Sequence, residues 1–152
     1  MEKKINYEFG NLLDMLDQFD VVLHGANCFH VMGGGIAKQF AERYPEVYAA
    51  DREQTKHGDA KKLGTYSKAR VGNTDVLNCY TQYHYDSSHM QFRYAAFAKV
   101  LELVKAEYHG KSIAMPLIGA GLAGGDWDAI EAIIEEVLEG EDVTVVVFKS
   151  NQ

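Results

Sequence analysis

Apolar residues recur along the chain in two periods. Val21-Val22-Leu23 and Val143-Thr144-Val145-Val146-Val147-Phe148 are near-continuous apolar runs. Their length and character predict strands buried on both faces. Residues 4–9, 63–71 and 75–80 read as further strands, the last two joined at Gly72-Asn73-Thr74 as in a hairpin. Residues 112–115 make another. A 3.6 period runs through Ala37, Phe40, Ala41 and Tyr44 and predicts a helix over 35–43. Tyr44-Pro45 breaks it, because the residue before proline avoids the helical region, and a helix resumes over 46–54. Residues 12–19 form a short amphipathic segment. Ser88 and Gln91 read as a capping box opening a third helix with the stripe Phe92, Ala96, Val100, Leu103 and Val104. Ile130, Ile133, Ile134, Val137 and Leu138 stripe the last helix, with Asp126 or a neighbour as its cap. Strands alternating with helices across short connections predict a single α/β domain over 1–152, a three-layer α/β/α sandwich with a mixed, mostly parallel sheet.

Two glycine-rich stretches punctuate this order. Val21 to Leu23 leads into His24-Gly25-Ala26-Asn27-Cys28 and then Met32-Gly33-Gly34-Gly35-Ile36 at the start of the first helix. The strand over 112–115 leads into Pro116-Leu117-Ile118-Gly119-Ala120-Gly121-Leu122-Ala123-Gly124-Gly125-Asp126-Trp127. A strand, a glycine loop and a helix N-terminus present free amide N–H groups and the positive end of the helix dipole, a construction suited to anions. Neither familiar phosphate loop is present. No Gly-Lys-Ser or Gly-Lys-Thr occurs, and Gly33 to Lys38 puts lysine where the last glycine of G-x-G-x-x-G belongs.

Composition narrows the function. The chain has 152 residues, 47% apolar and 24% charged, with a formal net charge of −7. That charge argues against broad, sequence-independent nucleic-acid binding, though backbone amides can still hold a small anion. No apolar run approaches a membrane span, and the N-terminal run does not read as a signal peptide. Cys28 and Cys79 suggest no disulfide framework, so a reducing, cytoplasmic setting and a monomer are expected. His24, Cys28 and His30 lack a fourth ligand at standard spacing, so neither a metal nor another cofactor is expected.

Asn-Cys, a spacer and Met-Gly-Gly-Gly-Ile-Ala, followed far downstream by Pro116 to Trp127, resemble the macro domain family. The resemblance is to its branch of ADP-ribose 1''-phosphate phosphatases and mono-ADP-ribosyl hydrolases. It implies that the chain binds ADP-ribose or ADP-ribose 1''-phosphate. It also implies hydrolysis, either of the phosphate or of ADP-ribose from a modified protein or nucleic acid. A non-catalytic ADP-ribose reader is the alternative, and a general NAD-related binder is disfavoured by the failed fingerprint.

By the same resemblance, Gly33, Gly34, Gly35 and Ile36, with Ala26 and Met32 beside them, face the pyrophosphate. Pro116, Ile118, Gly119, Ala120, Gly121, Leu122 and Ala123 close over it. Asn27 contacts the distal ribose and orients water. Asn11, next to Leu12, stands where the family commonly has an aspartate that accepts from the adenine amino group; a turn-forming role is equally open. Phe148 either stacks on adenine or packs in the core. Asp126 is either a general base or an N-cap. His24, His30 and, more remotely, His84 could act as acids, against the commoner fate of a satisfied structural histidine. Trp127 reads as packing. Some protein-deribosylating members use a lysine after the central strand, and residues 81–86 hold none.

Overall fold

The computed structural model describes residues 4–86 and 88–149; residues 1–3, at the N-terminal run read above, lie outside them. The strands are β1 (Asn6–Gly10), β2 (Val21–Ala26), β3 (Tyr66–Val71), β4 (Thr74–Tyr80), β5 (Ser112–Met115) and β6 (Asp142–Phe148). The helices are α1 (Gly35–Arg43), α2 (Pro45–Gln54), α3 (Tyr94–Tyr108) and α4 (Trp127–Val137). The six strands lie in the order β1-β6-β5-β2-β4-β3. All neighbours are parallel except β3, which returns antiparallel along β4 from the hairpin at 72–73. The mixed, mostly parallel sheet of the sequence reading is what the chain forms.

The period of two along each strand sends alternate side chains to the two helical layers. Val21, Leu23, Ile113, Met115, Val143 and Val145 pack with α3 and α4. Val22, Ala114 and Val146 pack on the other face with Phe40 of α1 and Val47 of α2. Central side chains such as Leu23, Leu77, Ile113 and Ile134 are almost wholly buried. Each such side chain stabilises the fold by about 1.5–3 kcal/mol.

Local chemistry moves several element boundaries. Pro45 is the first residue of α2, where its missing N–H and fixed φ cost nothing, so the break and the new start coincide. Residues 12–19 fold as two 3₁₀ turns, Leu12–Asp14 and Leu16–Gln18, rather than one helix. The capping box at Ser88 and Gln91 does not form. Ser88 instead donates to Asp86 (2.9 Å), Phe92 sits in an isolated bridge with Gln82, and α3 starts at Tyr94. Its buried stripe carries Leu101, while Leu103 is exposed.

Because β1, β6, β5, β2 and β4 run in one direction, their C-terminal ends share one edge of the sheet. Ligands of open α/β sheets bind outside that edge.

Candidate ligand cleft

A cleft of about 830 Å³ opens at this edge. One end is built by Gly10, Asn11 and Leu12 after β1 and by Val146 and Phe148 of β6. The middle is flanked by Gly33, Gly34, Gly35, Ile36 and Ala37 on one side and by Pro116 to Ala123 on the other. The far end is built by Gly25, Ala26 and Asn27 of the β2 end and by Thr81, Gln82 and Tyr85 after β4.

The two glycine loops meet across the middle. Gly34 caps α1 with no side chain bonded to the first-turn amides, so those N–H groups are available to a ligand. Leu122 leans over from the second loop, its Cδ1 3.0 Å from where a Gly34 Cβ would stand. The second loop is folded by turn hydrogen bonds from the amides of Ile118, Ala120, Gly124 and Gly125; those of Gly121 and Leu122 are not among these donors. Gly119 is obligatory twice over. Its φ is +79°, and a Cβ there would lie 2.4 Å from the Phe92 ring.

Asn27 organises the loop after β2. Its Oδ1 accepts from the amides of Phe29 (2.9 Å) and Val31 (3.4 Å), and its Nδ2 donates to the carbonyl of Val31 (2.7 Å). One Nδ2 hydrogen remains for a ligand. Beneath the loop, buried Lys62 donates to the Cys28 carbonyl (3.2 Å) and lies 4.7 Å from the Tyr80 ring centre. The Tyr80 hydroxyl in turn donates to buried Asp51 (2.6 Å). Burial lowers the pKa of Lys62. This polar support under the cleft was not visible in the apolar pattern.

At the opposite end Asn11 takes the turn-forming role. Its Oδ1 accepts from the Leu13 amide (3.0 Å), capping the first 3₁₀ turn, while the residue lines the cleft. Phe148 is 65% exposed at the mouth and is therefore no core aromatic. Trp127 packs against the α3/α4 core and donates to the Tyr7 hydroxyl (3.2 Å), away from the cleft lining.

His24, Asp126, Met32 and His30 do not line the cleft. β2 continues two residues past His24, and the strand alternation turns this side chain onto the α1 face. There it is fully buried, 4.8 Å from the Phe40 ring centre, with Nε2 2.5 Å from Asn78 Oδ1. Burial holds its pKa below the ordinary value, so it is a neutral core histidine and not an acid for the site. Asp126 is the N-cap of α4, its carboxylate accepting from the Asp128 amide (3.2 Å), and it does not line the cleft. Met32 is buried beneath the first loop instead of facing the ligand space. His30 is likewise outside the lining. It takes a left-handed φ of +59°, its Nε2 lies 2.9 Å from Thr55 Oγ1, and burial lowers its pKa.

Sequence reasoning missed Gly25, Thr81, Gln82 and Tyr85. Residues 81–86 follow β4 with no glycine loop to mark them as part of a site. The Thr81 hydroxyl is buried at the cleft floor with no hydrogen-bond partner, 3.2 Å from where a Gly25 Cβ would stand. Among the described residues that line the cleft there is no Asp, Glu, His, Lys or Arg; Tyr85 is the one ionisable side chain. Nor do the described residues place three or more His, Cys, Asp or Glu together as a metal site. No described helix is long and apolar enough to cross a membrane.

An uncharged cleft framed by two amide-rich loops, at the C-terminal edge of the parallel strands, is suited to an anionic ligand. The chain belongs to the macro domain family, whose model matches residues 23–134. It is 32% identical over 150 residues to an uncharacterized 17.5 kDa protein of Enterobacteria phage T4, covering 93% of this chain and 95% of that one. It is 29% identical over 150 residues to a DNA ADP-ribosyl glycohydrolase of Mycobacterium bovis, covering 95% of this chain but 42% of that longer protein. Among solved structures it is similar to the macrodomain of Mycobacterium tuberculosis DarG, with a TM-score of 0.75 and 27% identity over 93% of this chain and 96% of that one.

Proposed function

We propose that this macro domain binds ADP-ribose and hydrolyses its bond to an attached group, freeing it from a modified macromolecule. One observation carries the reading: two glycine loops meet over the middle of a cleft that has an exposed aromatic ring at one end and a carboxamide at the other. That layout matches base, pyrophosphate and distal ribose in order. Phe148 offers its face to adenine, and Asn11 lies at the base edge. The amides of 33–36, with those of Gly121 and Leu122 that no turn uses, take the pyrophosphate. Asn27 reaches the distal ribose. Similarity to proteins named glycohydrolases supports turnover.

In the reaction, water adds to the anomeric carbon of the distal ribose as the bond to the attached group breaks. The water keeps one hydrogen as the new anomeric hydroxyl, and its other proton ends on the departing group. With no carboxylate, imidazole or ammonium in the described lining, the base nearest the water is the substrate's own pyrophosphate. Its charge also stabilises the positive character that develops on the ribose. The protein contributes position and fixed dipoles.

The same absence of an acid or base favours a second reading, an ADP-ribose reader without turnover. The leaving group of the hydrolytic reading is either phosphate, from ADP-ribose 1''-phosphate, or a macromolecular group. Incubation with ADP-ribose 1''-phosphate and with ADP-ribosylated protein and oligonucleotide, following phosphate and ADP-ribose release, separates these. Release from any of them supports the hydrolase. Calorimetric binding of ADP-ribose with no release from any supports the reader.

A further inference from the structure

Resting on the ADP-ribose reading, we infer that buried Lys62 is a positioning residue for the anionic ligand. It acts through the peptide group between Cys28 and Phe29 on the Asn27 carboxamide, and so lends a positive charge to a cleft whose described lining holds no Lys or Arg.

The connection is continuous. Lys62 is 6% exposed, and its ammonium donates to the Cys28 carbonyl (3.2 Å). The N–H of that same peptide group belongs to Phe29 and donates to Asn27 Oδ1 (2.9 Å). Asn27 lines the cleft and keeps one Nδ2 hydrogen for a ligand. A cationic donor on the carbonyl makes the N–H of the same peptide a stronger donor. The stronger bond to Oδ1 does the same for the hydrogens on Nδ2, because bonds in a chain polarise one another.

Hydrogen-bond satisfaction does not require a lysine here. The Cys28 carbonyl already accepts from the Gly58 amide (2.7 Å). Burying an ammonium costs desolvation free energy, so what Lys62 adds to this carbonyl is charge. Its counter-charge is held to one side. The Asp51 carboxylate accepts from the Tyr80 hydroxyl (2.6 Å), whereas Lys62 lies 4.7 Å from the Tyr80 ring centre and against the loop. The positive member of the pair thus meets the Asn27 loop, where water screens it poorly.

A titration separates charge from packing. Burial lowers the Lys62 pKa, opposed by Asp51, Cys28 and Asp59, the last being the cap of the 3₁₀ turn over 60–62 that carries the lysine. As pH rises through that lowered value the ammonium becomes a neutral amine, and affinity for an anion falls with it. His30 and the Tyr80 hydroxyl also face this region. Burial lowers the pKa of His30, which has therefore lost its proton before neutral pH. Burial raises those of Cys28 and Tyr80, which keep theirs past the ordinary values.

The test titrates ADP-ribose calorimetrically into wild type, Lys62→Met, Lys62→Met combined with Asp51→Asn, and Cys28→Ala. It is repeated at steps between about pH 7.5 and 10, a range in which ADP-ribose changes no charge, with a thermal midpoint for each sample. The combined variant leaves no buried charge alone, so it stays informative where Lys62→Met fails to fold. At pH 7.5 the folded Lys62 variants are expected to bind about three- to tenfold more weakly than wild type. Wild type and Cys28→Ala weaken as pH rises, converging on the Lys62 variants, whose affinity stays flat. A folded combined variant that binds as tightly as wild type, a wild-type affinity that is flat with pH, or the same decline in the Lys62 variants overturns the inference while ADP-ribose binding stands. No binding by folded wild type at any pH overturns the function on which it rests.

Discussion

Leu122 reaches across the cleft to Gly34, and a side chain at position 34 would fit only if the exposed Leu122 side chain shifted. Gly34 has an extended backbone, φ −149° and ψ 161°, which any residue adopts, so its lack of a side chain serves space and not conformation. A Gly34 Cβ would stand 3.0 Å from Leu122 Cδ1, over the amides read as the pyrophosphate site. Gly34→Ala is expected to weaken ADP-ribose binding about tenfold, or ~1.4 kcal/mol, with little change in thermal midpoint. Calorimetry and a melting curve on the same sample check both halves.

Asn27 tests whether the loop after β2 is set by its carboxamide. Asn27→Ala removes two accepted hydrogen bonds and one donated, and is expected to cost about 1–3 kcal/mol of stability together with affinity. Asn27→Asp keeps the acceptor but loses the donation to Val31 and adds a negative charge near the bound anion. Its affinity should fall further than its stability. Denaturant titration beside ligand titration separates the two effects.

Asp126 is expected to matter for α4 alone. Asp126→Ala should lower stability by about 1 kcal/mol, Asp126→Asn should retain most of it, and turnover should follow neither. A loss of kcat in Asp126→Asn at full folding would contradict the placement found here.

The pH dependence of stability carries the signature of His24. Its folded-state pKa is below the unfolded value, because burial disfavours the imidazolium. Its contribution is therefore complete above the unfolded pKa near 6.5 and is lost as pH falls below it, at up to about 1.4 kcal/mol per unit. His24→Gln should be less stable at pH 7 and show a shallower decline toward pH 5. Denaturant midpoints across that range give the comparison.

The hydrophobic pattern made the sheet, the four main helices and both glycine loops legible, because strand and helix periods are written into local sequence. Asn27 and Phe148, singled out by the family resemblance, stand at strand ends and line the cleft. What escaped it was direction and distance. His24 lies in the strand that enters the cleft, yet the parity it shares with Val22 turns it to the α1 face. Asp126 follows the second loop, yet the helix start claims its carboxylate. Thr81, Gln82 and Tyr85 carry no glycine signature and come to the cleft only because β4 runs parallel beside β2. The pairing of β2 with β4, distant in sequence, was not encoded in any single stretch.

The most direct test of the ADP-ribose site is a calorimetric titration of the wild-type protein with ADP-ribose, run beside Gly34→Ala. Saturable binding at one site per chain, weakened in the variant, is the predicted result. A folded wild-type protein that gives no binding signal up to millimolar ADP-ribose would contradict the assignment of the cleft.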